Sequence, residues 1–171
     1  SKIQRAQCRK KSAKRQQPET TKMKEATEFA HSITLDHFIL EKDEDLSRNK
    51  DRVATIVYDI ASSWLQGYAA HTNSADETQK AVERYLGPQT EPSYIYSDNS
   101  KEIAKAIKDL GWSGRHDTST PNRPATNGTI ERQVRISKEI IGTTLLQGGA
   151  NPEWWADALR TGIFLHCVVD K

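Results

Sequence analysis

Cysteine is nearly absent: Cys8 and Cys167 are the only two in 171 residues. Two thiols cannot build a disulfide framework, and two alone cannot complete a structural zinc site, so a reducing compartment is the default expectation. Long apolar runs are missing too. No stretch approaches the roughly 18 uncharged apolar residues of a membrane span, and the best one, Ile163 to Val169, is far too short. The N-terminus is basic and polar with no apolar run behind it, which is not the pattern of a secretory signal. What remains is a polar chain, 28% charged with a mean hydropathy of -0.77, whose 35% hydrophobic residues still suffice for the core of one ordinary domain.

The net charge of +2 conceals two unlike parts. Residues 1–24 hold nine Lys and Arg side chains against the single acid Glu19, a local charge of +8. The rest of the chain carries -6. A basic arm on an acidic body suits a chain that touches nucleic acid, and it suits a solvated linker equally well. Either the acidic body does not bind nucleic acid, or some of its acids are neutralised by metal.

The globular pattern begins near residue 30, and residues 1–29 read as a basic linker. Ile33, Leu35 and Phe38 to Leu40 predict a first strand with Asp36 inside it. After a polar loop (41–51), Val53 to Ile60 and Trp64 to Ala70 predict two more strands joined by a short connection. Ser74 with Glu77 three residues on forms a capping box, and Gly87-Pro88 closes that helix. Tyr94 to Tyr96 predicts a fourth strand. A helix capped at Asn99 or Ser100 follows and stops at Gly111, and Trp112 to His116 predicts a fifth strand. A long helix from about Asn127 carries Ile130, Val134, Ile141 and Leu145, and Asn151-Pro152 opens a last one. Short links between the first three strands favour an antiparallel meander, and later strands alternating with helices favour parallel additions. The expected fold class is α/β, with a mixed five-stranded sheet flanked by helices.

An ionised carboxylate in an apolar strand is costly unless paired or bound to a cation. Asp36 is in such a strand, Asp98 ends the fourth strand where open sheets place their sites, and Glu131 lies in the first turns of the long helix. If the first and fourth strands are neighbours, the three acids converge and would repel unless divalent cations lie between them. Hard oxygen ligands select Mg²⁺ or Mn²⁺, and two such ions suit in-line phosphoryl transfer. Blander readings stand beside this one. Asp98 can be a helix cap, Glu131 a solvated helix position and Asp36 the partner of a buried base, while Asp59 is the rival for the first carboxylate.

The stretch T-P-N-R-P-A-T-N-G-T-I-E-R, Thr120 to Arg132, closely resembles the segment carrying the catalytic glutamate in retroviral and LTR-retrotransposon integrases. Y-I-Y-S-D-N-S-K-E-I, Tyr94 to Ile103, resembles that family's strand and helix around its second aspartate, and L-D-H-F, Leu35 to Phe38, the strand around its first. W-W-A-D-A-L-R, from Trp154, fits the helix that follows, so the likeness runs from about residue 30 to the C-terminus. The resemblance implies an RNase H-like fold and a D,D,E triad of Asp36, Asp98 and Glu131 holding two Mg²⁺ or Mn²⁺ ions. It implies DNA 3′-end processing and strand transfer, with element ends and target DNA as partners. A homodimer or higher oligomer and an intracellular setting, nuclear or in a retrotransposon particle, follow from the same likeness. Asn127 and Gly128 would form the turn that approaches DNA, and Arg132, Arg135 and Lys138 would contact phosphates, although Arg135 and Lys138 read about as well as plain surface charge. His37 and His116 flank the site and read as packing or supporting residues rather than metal ligands.

The sequence also departs from the family. The 32 residues between Asp98 and Glu131 are fewer than is usual, and Ser100 stands where Gly is common. Cys8 fits the last position of the family's zinc domain, but Arg5 occupies the paired position and the histidines are missing. Residues 30–171 therefore read as a core cut short in its last helix, from a polyprotein fragment. These departures favour the alternative, a catalytically silent nucleic-acid-binding or assembly module. An RNase H-type nuclease shares the metal logic but fits the glutamate segment poorly.

Overall fold

The computed structural model describes residues 26–118 and 128–169. Five strands form one sheet: β1 (Ser32–Ile39), β2 (Val53–Asp59), β3 (Leu65–Ala70), β4 (Tyr94–Ser97) and β5 (Arg115–Thr118), in the order β3-β2-β1-β4-β5. The first three are antiparallel neighbours, and β4 and β5 add in parallel to β1. The chain is thus α/β with a mixed open sheet, an arrangement compatible with the RNase H-like fold. Four helices flank it: α1 (Ala75–Leu86), α2 (Lys101–Leu110), α3 (Gly128–Gly148) and α4 (Trp155–Val169).

Strand alternation divides the core in two. Ile33 and Leu35 of β1, Val57 of β2 and Ile95 of β4 point to one face, where Val82 and Tyr85 of α1 and Ile103 and Ile107 of α2 cover them. Phe38, Ala54, Ile56 and Leu65 point to the other, under Ile130 of α3 and Trp155, Leu159 and Ile163 of α4. Asp36 pairs across the ladder with Ile56 and so belongs to the α3/α4 face. Its neighbour His37 belongs to the α1/α2 face, where its ring meets Thr78 of α1.

The helix starts have local causes. The Ser74 side chain accepts the Glu77 amide at 3.3 Å, and that of Ser100 accepts the Ile103 amide at 3.4 Å, each satisfying a donor that the helix itself leaves unpaired. Gly111 stops α2 with φ 66, a conformation open to glycine at little cost. The fifth strand lies at Arg115–Thr118 rather than 112–116. Trp112 packs against the α1/α2 core instead, and Gly114 presses so closely on the Pro92 carbonyl that a Cβ has no room there. The last helix is preceded by a 3-10 turn, Pro152–Trp154, because proline at the start suits that tighter turn. The third strand opens at Leu65, with Trp64 in the connection.

Two glycines let α4 approach its neighbours. A Cβ on Gly67 of β3 would come within 2.9 Å of Leu159, and one on Gly162 would collide with Ile140 and Thr144 of α3. Both side chains facing Gly162 are β-branched and have little freedom to turn away. Gly162→Ala is therefore expected to cost about 1–3 kcal/mol in urea unfolding. Gly142→Ala on α3, where an added Cβ meets nothing within 4 Å, is expected to gain about 0.5–1 kcal/mol.

Candidate active site

The parallel pairing of β1 with β4 matches Leu35 with Ser97, so Asp36 and Asp98 are the next residues along two adjacent strands. Asp36 is held in place by its own strand: the His37 amide donates to its Oδ1 at 2.7 Å. Asp98 lies just beyond the end of β4, and its Oδ1 accepts the Ser100 amide at 3.1 Å. Asp98 is not itself the helix cap, a role that Ser100 takes; it closes the turn before Ser100 with one carboxylate oxygen. Ser100 has φ -69, an ordinary value, so the backbone here makes no demand for glycine.

Glu131 lies in the first turn of α3 and is exposed, while the adjacent Ile130 anchors that turn in the core at 1% exposure. The Asp36 carboxyl is pushed up from 3.8 to about 6. Burial is the largest cause, followed by the negative charge of Asp98. The Glu131 charge acts in the same direction, and the His37 amide and the Lys138 ammonium oppose it.

Asp59, the rival carboxylate, has another task. It is fully buried and accepts hydrogen bonds from the Ala30 amide (2.9 Å) and from the Ser62 amide and hydroxyl (both 2.7 Å). It pairs with Ile33, on the face opposite Asp36. Asp59 is a structural clamp for the β2–β3 turn.

The basic residues part company. Lys138 sets its Nζ 5.3 Å from the centre of the Phe38 ring and close enough to Asp36 to stabilise that carboxylate, so it belongs to the site. The surface-charge reading holds for Arg135, which lies 3.9 Å from Glu139 one turn on. Arg132 is exposed and lines a small cavity with Tyr58, Ser63 and His166. Gly128 begins α3, and a Cβ there would touch nothing within 4 Å. Asn127 falls outside the described residues, as do the basic arm, Cys8 and most of the Thr120–Arg132 motif.

His37 donates or accepts at Thr78 Oγ1, 3.0 Å away, and His116 Nε2 lies 2.9 Å from Ser97 Oγ. Burial lowers both imidazoles, against the raising influence of Asp98 and Glu102 on His37 and of Asp117 on His116. Neutral rings at pH 7 follow. The sequence marks these histidines as flanking residues that pack or support, and their hydroxyl partners on α1 and β4 are set by the fold. A large cavity elsewhere, about 830 Å³ beside α1 and Trp112, contains none of the predicted site residues.

The donor set fits a hard divalent cation in chemistry, since all three groups are carboxylates and Asp36 carries unrelieved repulsion that a cation would remove. It is not a preformed cage. Among the described residues, no group of three His, Cys, Asp or Glu side chains is drawn together closely enough to hold an ion. The exposed Glu131 would have to turn toward the strands.

No protein-family model matches the chain, and no curated protein matches it in sequence.

Because the folded-state value of Asp36 lies above its unfolded one, the native protein binds the extra proton between pH 3.8 and about 6. Its contribution to stability is intact below that window and is lost as pH rises through it. In chelator-treated buffer, Asp36→Asn is expected to be nearly neutral at pH 4 and to gain on wild type by on the order of 1–2 kcal/mol by pH 7. Urea titrations at the two pH values read the difference.

Proposed function

We propose that this chain is a D,D,E integrase-type polynucleotidyl transferase core, with Asp36, Asp98 and Glu131 as its metal-holding carboxylates. The observation that carries the reading is the charge coupling of Asp36 to the other two acids on the sheet face that α3 covers. Asp36 and Asp98 would hold one ion, and Asp98 with Glu131 a second. Bound there, Mg²⁺ or Mn²⁺ would neutralise the phosphate being attacked and acidify the attacking water or DNA 3′-hydroxyl.

The protein's own part is positional and electrostatic, as phosphoryl transfer requires little covalent help. Asp36 is fixed by a central strand and Asp98 by its turn, so two of the three acids have little freedom to wander. Lys138, above Phe38 on the same face, supplies positive charge for a phosphate near the carboxylates. Gly128 leaves the start of α3 open to close approach by a backbone. The +8 arm would add sequence-independent affinity for DNA that falls with salt. A homodimer is the proposed assembly, on the resemblance alone.

A specific observation favours the second reading, a catalytically silent nucleic-acid-binding module. Glu131 is exposed, and no ion-ready cluster exists among the described residues. Strand-transfer and disintegration assays in Mg²⁺ and in Mn²⁺ separate the two. The enzyme reading expects activity in at least one metal, reduced on the order of 10²-fold or more by Asp98→Asn. A folded wild-type protein inactive in both metals would leave the silent module as the better account, and activity surviving Asp98→Asn would overturn the triad.

A further inference from the structure

We infer that His37 and His116 are positioning residues, each braced through a buried hydroxyl so that Asp36 on β1 and Asp98 just beyond β4 are held from behind the sheet. This rests on the carboxylate-site reading above.

A hydroxyl has one hydrogen to donate and lone pairs to accept with. With its hydrogen on the Ser74 carbonyl, 2.9 Å away, Thr78 Oγ1 accepts from His37 Nε2 at 3.0 Å. The hydrogen in that bond is then the one on Nε2. Ser97 repeats the pattern independently. Its Oγ donates to the Asp98 carbonyl at 2.8 Å, so it accepts from His116 Nε2–H. Thr78 and Ser97 are both 0% exposed, so water does not substitute for either partner.

Each relay ends on a candidate metal-holding residue. The Ser97 bond fixes the Asp98 carbonyl while the Ser100 amide holds the Asp98 carboxylate, so that residue is restrained at main chain and side chain together. His37 links the two faces of β1. Its ring reaches α1 on one side, and its amide donates to the Asp36 carboxylate on the other. The start of α1 is thereby connected to Asp36 through a single residue. Outer hydrogen-bond partners of this kind typically matter by about 10–100-fold in metal affinity.

Nitrogen-15 NMR of the imidazoles in the metal-free full chain tests the first half. Both rings are expected in the Nε2–H form, with Thr78→Val releasing His37 and Ser97→Ala releasing His116 into mixed tautomers. An Nδ1–H form or a mixture at either ring in the wild type would overturn the inference without any variant. The second half is read by Mn²⁺ affinity, followed through paramagnetic broadening. Thr78→Val and Ser97→Ala are expected to weaken it about tenfold, Thr78→Ser to restore it, and Asp36→Asn to abolish it. Wild-type affinity in Thr78→Val and Ser97→Ala, with binding lost in Asp36→Asn, refutes the positioning role and spares the site. A wild type that binds no Mn²⁺ refutes both.

Discussion

The pairing of β1 with β4 is the constraint on which the rest depends. Their parallel register, with Leu35 opposite Ser97, brings Asp36 and Asp98 to adjacent positions in the sheet. Two like charges so placed, one of them largely buried, raise the energy of the ionised state. The raised Asp36 carboxyl is the measure of that cost. Hydrophobic contacts enforce the arrangement: Ile33, Leu35 and Ile95 are completely buried on the face behind the acids, and Phe38 and Ile130 are buried on the face in front. The core keeps together groups that would otherwise separate.

The helices divide the work between the two faces. On the α1/α2 side they close one half of the core, and α1 supplies the hydroxyl that meets His37, while β4 supplies the one that meets His116. On the α3/α4 side, Gly67 and Gly162 let α4 lie close to β3 and α3. That packing fixes α3, which carries Glu131 and Lys138 of opposite charge two turns apart. An acid and a base on one helix above an aspartate pair form a field suited to both a cation and the phosphate it would accompany.

Much of this was legible in the sequence. Alternation from Ile33 and the β-branched run of Val53 to Ile60 announced the central strands, and Ser74, Asn99 or Ser100, and Gly111 marked helix ends, of which Ser100 proved to be the cap. Strand sense then followed from connection length. The misplaced parts share a cause: distant contacts decided them. Trp112 is strand-like in isolation but is drawn into the α1/α2 core, so β5 begins three residues later. Asp59 and Asp36 look alike as acids in apolar strands, and only the Ala30 and Ser62 partners show that Asp59 is a clamp. Arg135 and Lys138 look alike as basic helix residues. One has Glu139 beside it, and the other overlies Phe38. The juxtaposition of Asp36 with Asp98 was expected on condition that the first and fourth strands were neighbours, which they are, and the exposure of Glu131 agrees with its plainer reading as a solvated helix position.

On the proposed reading, a divalent cation relieves the repulsion that Asp98 and Glu131 exert on the buried Asp36 carboxylate. Diffraction from crystals grown with Mn²⁺, recorded near the manganese absorption edge, tests it most directly. The account predicts anomalous density between the Asp36 and Asp98 carboxylates, with Glu131 turned toward it, and none in Asp36→Asn. Clear carboxylates with no anomalous density between them at saturating Mn²⁺ would contradict it.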